Sequence, residues 1–220
     1  MAVEEGDFVK IHYTGRVKET DEVIDTTREE VAEEHDLDVR TGPVVVVVGA
    51  GMVWEPVEEE LKGRKPGDEF EVEVPPEKAF GERDASLVRT YRRSEVRGDV
   101  RPGGTVVTPE GRRGRVVSVD GGRVRVDMNH PLAGKTLVYE VEVLEVLEGV
   151  EERAEGLLDT LAPGIDVELE WEDEDGTLRL RVEGEDAVKT GWFGAKRRFV
   201  ELMREHDDRV EKVVVEEVFK

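Results

Sequence analysis

The sequence predicts an α+β protein: an antiparallel sheet wrapped on a short helix, an inserted small β domain, and a C-terminal α+β domain. Three observations predict it. Apolar and charged residues alternate strictly in three well-separated stretches. Between about Leu87 and Leu132 a block of short β segments rich in turn residues interrupts that pattern. After Gly149, helical and alternating spacings follow in the order helix, strand, strand, helix, strand.

The first strand puts Val9, Ile11, Tyr13 and Val17 on one face and Lys10, His12, Thr14 and Arg16 on the other. PVVVVVG, from Pro43 to Gly49, is β-branched throughout and reads as a buried strand. A short helix starts near Trp54. Pro56 fits its first turn, where no backbone N–H is needed. Val57 and Leu61, four apart, face the sheet, Glu58 to Glu60 suit the positive end of the helix dipole, and Gly63 is the C-cap. The second alternating strand sets Phe70, Val72 and Val74 against Glu69, Glu71 and Glu73. The third sets Leu137, Tyr139, Val141 and Val143 against Val138, Glu140, Glu142 and Leu144. One dry and one wet face marks an antiparallel sheet.

The interrupting block contains TVVTP, RGRVVSVD and GRVRVDM, joined by PEG and DGG turns. In the last segment, Ala154, Leu157, Leu158 and Leu161 lie at helical spacing, ended by Pro163-Gly164. Ile165, Val167, Leu169 and Trp171 alternate, DEDG turns the chain, and Leu178, Leu180 and Val182 alternate again. A helix from about Phe193 to Glu205 buries Phe199, Leu202 and Met203, and a strand runs from Val210 to Phe219. The domain boundaries expected are 1–86 with 133–148, 87–132 for the insert, and 150–220.

Composition narrows the function. Hydrophobic residues are 37% and aromatics 5%, so the core is built mainly from Val and Leu. Lys and Arg total 32 and Asp and Glu 54, a net charge of −22. That surplus repels phosphate backbones and anionic membrane surfaces, so neither nucleic acid nor membrane is an expected partner. It fits a potassium-rich cytoplasm, ordinary solubility or a thermophile, and composition does not separate these. There is no cysteine, which excludes disulfides and thiol catalysis and fits an intracellular, cytoplasmic protein. MAVEEGDF lacks an apolar signal segment, and the longest apolar run, Val44 to Val48, is too short to span a bilayer. Four dispersed histidines predict neither a metal site nor a cofactor.

HYTG (His12 to Gly15), VIDTT (Val23 to Thr27), GAGMVWEPVE (Gly49 to Glu58), AFGERD (Ala79 to Asp84) and VDMNHPLAGKTLVYEVEV (Val126 to Val143) occur in one collinear order. Together they resemble the FKBP-type peptidyl-prolyl isomerases, most closely the long SlyD-like branch, over roughly Val3 to Leu147. The resemblance implies a prolyl isomerase fold with an insert-in-flap domain. It assigns Tyr13 to a core-strand tyrosine, Asp25 to the pocket aspartate, and Ile24 to a place where phenylalanine is usual. Val44 and Val46 lie on a strand that commonly supplies a pocket phenylalanine. Val53 and Trp54 match a Val-Ile pair whose second backbone N–H meets the ligand carbonyl. Val57 takes the pocket floor, usually larger. Phe80 stands where tyrosine is usual, and Tyr139 replaces a pocket phenylalanine. His130, in NHPLAG, matches a junction histidine, with a turn-stabilising hydrogen bond as its simpler role.

The expected catalytic residues are therefore Tyr13, Asp25, Val53, Trp54, Phe80 and Tyr139. The expected substrate contacts are Ile24, Val44, Val46 and Val57. The expected activity is peptidyl-prolyl isomerisation on proline-containing unfolded or partly folded polypeptides, with the insert holding unfolded chain. The alternative is a holdase chaperone with an altered pocket. A homodimer through the C-terminal domain is a further expectation, with Trp192 and Phe193 either an exposed patch or a buried helix start.

Overall fold

A computed structural model describes residues 1–219 of the 220. In chain order the strands are β1 (Phe8–Val17), β2 (Val23–Thr26), β3 (Val44–Val47), β4 (Glu69–Val74), β5 (Val88–Arg92), β6 (Arg97–Gly98), β7 (Thr105–Val107), β8 (Arg113–Asp120), β9 (Arg123–Asp127), β10 (Leu137–Leu147), β11 (Glu168–Glu172), β12 (Thr177–Glu183) and β13 (Lys212–Val218). The helices are α1 (Glu29–Glu34), α2 (Glu55–Leu61), α3 (Val150–Leu161) and α4 (Thr190–His206). They form two units: Met1–Val74 with the chain from Leu137 onward, and Pro75–Thr136.

The spine of the first unit is the long antiparallel pair β1–β10, from Phe8↔Leu147 to Val17↔Leu137, with a bulge between Lys10 and Ile11. β4 adds to the free edge of β10, while β2 and β3 share the other edge of β1. The three alternating stretches are β1, β4 and β10. Pro56 sits in the first turn of α2, whose Val57 and Leu61 are buried, and the helix lies against β4.

One end of the second face of this sheet is covered as well. Phe8, Val45, Val47 and Leu147 join one apolar core with α3, α4 and β12, including Leu157, Leu180, Trp192 and Phe199. A mid-helix glycine makes the close approach of α3 possible: a Cβ on Gly156 would lie 2.6 Å from Val45 Cγ2. One turn later, Thr160 Oγ1 accepts the Val45 N–H at 2.8 Å. Polar groups fix the same junction. The Asp207 carboxylate, 1% exposed, accepts from Arg153 Nη1 at 3.0 Å and from Arg209 Nε and Nη2 at 2.8 Å each. Arg153 also donates to the Leu147 carbonyl, and Arg209 to that of Glu148.

The C-terminal order of elements is as read from the sequence, but the sheet is mixed. β11–β12 is an antiparallel hairpin, whereas β13 returns parallel to β12 after the α4 crossover. α4 begins at Thr190, so Trp192 is fully buried, with its indole N–H on Glu217 at 2.7 Å, and only Phe193 is exposed.

The second unit is a five-stranded antiparallel sheet in the order β5-β9-β8-β7-β6 over a small core of Tyr91, Val96, Val106, Val116, Val124 and Val126. The chain leaves the first sheet after β4 and re-enters it at β10. Among the described residues, no helix is long and apolar enough to cross a membrane. Sequence patterning missed α1, β2, β5 and β6. Each is short, and β5 (VRTYR) places only Tyr91 in the core.

Candidate functional site

The site grows from register. Gly15 pairs across β1–β10 with Tyr139 and across β1–β2 with Asp25, so these three positions lie side by side on one face. Tyr13, two residues earlier on β1, shares that face and meets Tyr139 diagonally. Their ring centroids are 5.8 Å apart at 57°. The Tyr13 hydroxyl donates to Asp25 Oδ2 at 3.0 Å. Trp54, at the N-terminus of α2, donates its indole N–H to the Tyr139 hydroxyl at 2.9 Å. Tyr13, Asp25, Trp54 and Tyr139, distant in sequence, thus form two hydrogen-bonded pairs joined by a ring contact.

The electrostatics follow from burial. Burial pushes the Tyr13 phenol well above its ordinary value, and the Asp25 carboxylate raises it further. Burial also raises Tyr139, against the opposing hydrogen bond from Trp54. Both phenols therefore stay protonated at any physiological pH.

β2 is stitched to β1 behind the site. Thr27 Oγ1 accepts the Tyr13 backbone N–H at 2.9 Å, and the Thr14 and Thr26 hydroxyls pair at 2.8 Å. His12 Nδ1 lies 2.8 Å from Thr27 Oγ1, and burial followed by the Arg28 charge lowers its pKa.

The remaining expected residues are placed as follows. Val46 is buried and Val44 half-buried on β3, and the pleat turns both away from Val45 and Val47. Ile24 is half-buried beside Asp25, Val53 is half-buried beside Trp54, and Val57 is buried in the first turn of α2. Phe80 belongs to the second unit, where its ring stacks on His130 at 4.2 Å and 8°. His130 Nδ1 accepts the Leu132 N–H at 3.2 Å, the turn-stabilising role.

Three contributors escaped sequence reading. Gly15 has no room for a side chain, since a Cβ there would lie 2.7 Å from Tyr139 Cε1. A glycine inside a strand pattern was the available signal. Glu58, read only for its fit to the helix dipole, is buried and accepts the Met52 N–H at 3.0 Å. Arg198 of α4 donates to the Ala50 carbonyl at 2.5 Å, and Met52 and Ala50 pack on the α3–α4 core. The loop delivering Val53 and Trp54 is therefore held by α2 and by the C-terminal segment. Among the described residues, no group of His, Cys, Asp and Glu could hold a metal.

Comparison with known proteins places residues 1–144 in a match to the sequence profile of the family described as FKBP-type peptidyl-prolyl cis-trans isomerase. The chain is 34% identical over 150 residues to a short-type peptidyl-prolyl cis-trans isomerase of Methanocaldococcus jannaschii, covering 66% of this chain and 94% of that protein. It is 36% identical over 160 residues to the FKBP-type peptidyl-prolyl cis-trans isomerase SlyD of Treponema pallidum, covering 68% and 81%. It is 38% identical over 136 residues to SlyD of Aeromonas hydrophila, covering 60% and 64%.

Proposed function

This chain belongs to the FKBP-type peptidyl-prolyl cis-trans isomerases, and from that premise we propose that Tyr13, Asp25, Trp54 and Tyr139 carry the isomerisation of X-Pro bonds in cytoplasmic folding clients. Rotation about such a bond faces a barrier of about 18–20 kcal/mol because it breaks amide resonance. Lowering it needs no nucleophile. The planar amide is polar and well hydrated, whereas the twisted amide has lost resonance and carries a weaker carbonyl dipole. A surface that strips water from the imide and grips the proline ring half-rotated therefore favours the transition state.

The observation that carries this reading is the pair of hydrogen bonds on one face of the sheet. The Tyr13–Asp25 bond fixes one tyrosine ring and the Trp54–Tyr139 bond the neighbouring one. Both pairs spend polar groups on each other, so the surface they present is largely aromatic. Ile24, Val44, Val46, Val53 and Val57 supply the aliphatic contacts to the proline ring. Phe80 is proposed as a further substrate contact.

In the same reading, residues 87–132 act as an inserted β domain that holds unfolded chain and raises its local concentration for the isomerase residues, 1–86 with 133–148. Residues 150–220 form the C-terminal part, whose exposed Phe193 is the apolar candidate for a homodimer contact.

The test pairs two assays on the full chain: isomerisation of a short proline peptide, and refolding of a protein limited by X-Pro rotation. Tyr13→Phe and Asp25→Ala lower both rates while leaving suppression of aggregation intact. If the wild-type chain suppresses aggregation but accelerates neither reaction, the holdase reading replaces the enzyme.

A further inference from the structure

The second unit carries a charge opposite to the rest of the chain. Residues 75–136 contain 13 Lys and Arg against eight Asp and Glu, a net +5. The remaining residues contain 19 against 46, a net −27. The positive charge is concentrated on one face. Tyr91, Val106, Val116, Val124 and Val126 point into the small core, so their neighbours along each strand point outward. Those neighbours are Arg92 on β5, Arg123 and Arg125 on β9, Arg113 and Arg115 on β8, and Arg97 on β6. All six are exposed.

Their arrangement works against the sheet's own stability. Arg92 and Arg123 are direct cross-strand partners, and like charges in that position repel. The acids on this face do little to offset them. Asp127, opposite Arg115, is occupied by Arg83 at 2.6 Å and by Asn129. Asp120, opposite Arg123, makes no ion pair, and neither does any of the six arginines among the described residues. A surface built for stability or solubility alone would interleave the signs. The unpaired arginines are available to a ligand.

We propose that this arginine face binds acidic, extended polypeptide segments. Arg113/Arg115 and Arg123/Arg125 are each two residues apart on a strand, a spacing of about 6.6 Å. Acidic side chains at alternate positions of an extended chain repeat at the same distance, and a guanidinium fork grips a carboxylate with two parallel hydrogen bonds. Single-stranded nucleic acid fits less well. No aromatic side chain lies on the outer face for a base to stack on, since Tyr91 turns inward and the exposed large apolar groups of this unit are the aliphatic Val107 and Val117. The inference deepens the folding-helper reading by naming a class of client, but it stands on the second unit alone.

The test uses the full chain and a fluorescent, proline-free peptide of about a dozen residues alternating Glu and Ser. A Lys-Ser peptide and an oligouridylate of the same length are the comparisons. At about 0.1 M salt the screening length is about 10 Å, so the acidic first unit is muted and the face acts locally. Anisotropy is expected to report binding of the Glu-Ser peptide, loss at higher salt, and little binding of the other two. Arg92→Gln/Arg123→Gln/Arg125→Gln, which removes three exposed pairings, weakens binding about tenfold. Its melting temperature holds or rises, because a repulsive pair has gone. Absence of Glu-Ser binding, equal binding by the triple variant, or tighter binding of oligouridylate each overturns the assignment. Because the probe lacks proline, none of these outcomes bears on isomerisation, which the triple variant retains.

Discussion

Gly15→Ala tests the site's construction directly. The new Cβ would lie 2.7 Å from Tyr139 Cε1 and 2.8 Å from Cζ. Carbon atoms pack at about 3.5–4.0 Å, so the ring must retreat by about 1 Å. It cannot do so freely. Its Cα is fixed opposite Gly15 and Val72 by both ladders, its hydroxyl is bonded to Trp54, and its ring meets that of Tyr13 at a tilt. Overpacking of this kind costs about 1–3 kcal/mol. A retreat of about 1 Å also breaks the 2.9 Å indole–hydroxyl bond, and displacement on that scale at a reacting centre lowers kcat/KM by about a hundredfold. Urea unfolding measures the first effect, and isomerisation of a proline peptide the second. The cycle is closed with Tyr139→Val, which removes the ring. In that background Gly15→Ala should cost almost nothing in stability, while activity stays low. Equal destabilisation in both backgrounds, or a Gly15→Ala variant with wild-type rate, would refute the reasoning.

Two further expectations concern the C-terminal segment. Arg198→Ala releases the Ala50 carbonyl and loosens the loop leading to Trp54. It should lower kcat/KM several-fold with a loss of about 1 kcal/mol in stability, and Arg198→Lys should restore part of the rate. Asp207 is held below its ordinary pKa: burial opposes ionisation, but hydrogen bonds from Arg209 and the charges of Arg153 and Arg209 outweigh it. A depressed folded pKa gives stability that is complete above the unfolded value of about 3.9 and is lost as pH falls through the folded value. Asp207→Asn should therefore cost about 3 kcal/mol at neutral pH. Its melting temperature should converge on that of the wild type below about pH 4, as thermal unfolding across acid pH will show.

Much of the architecture was legible because the relevant physics is local. Alternation in β1, β4 and β10 needs only a sheet with one wet face, and the caps and proline of α2 act within a turn of it. The site was legible in part. Tyr13, Asp25, Trp54 and Tyr139 were named, and they meet. Gly15 and Arg198 were not singled out, since a missing side chain and a single surface arginine carry no periodic signal. The sequence also left Trp192 undecided between patch and core. The structure decides it, because α4 starts earlier than periodicity suggested and turns that face onto β12 and β13.

The sequence alone determined the long strands and the helices with a clear apolar stripe, since apolar spacing along the chain is enough to say which face is dry. It also held the charge contrast between residues 75–136 and the rest. Only the tertiary structure decided what lies against each dry face. Val45 and Val47 read as a simple buried run, yet the pleat splits β3 between two cores, and the one they enter is supplied by α3 and α4 more than a hundred residues later. Register did the rest. By pairing Gly15 with both Tyr139 and Asp25, and Arg92 with Arg123, it set which side chains share a face, and no one-dimensional pattern contains that pairing.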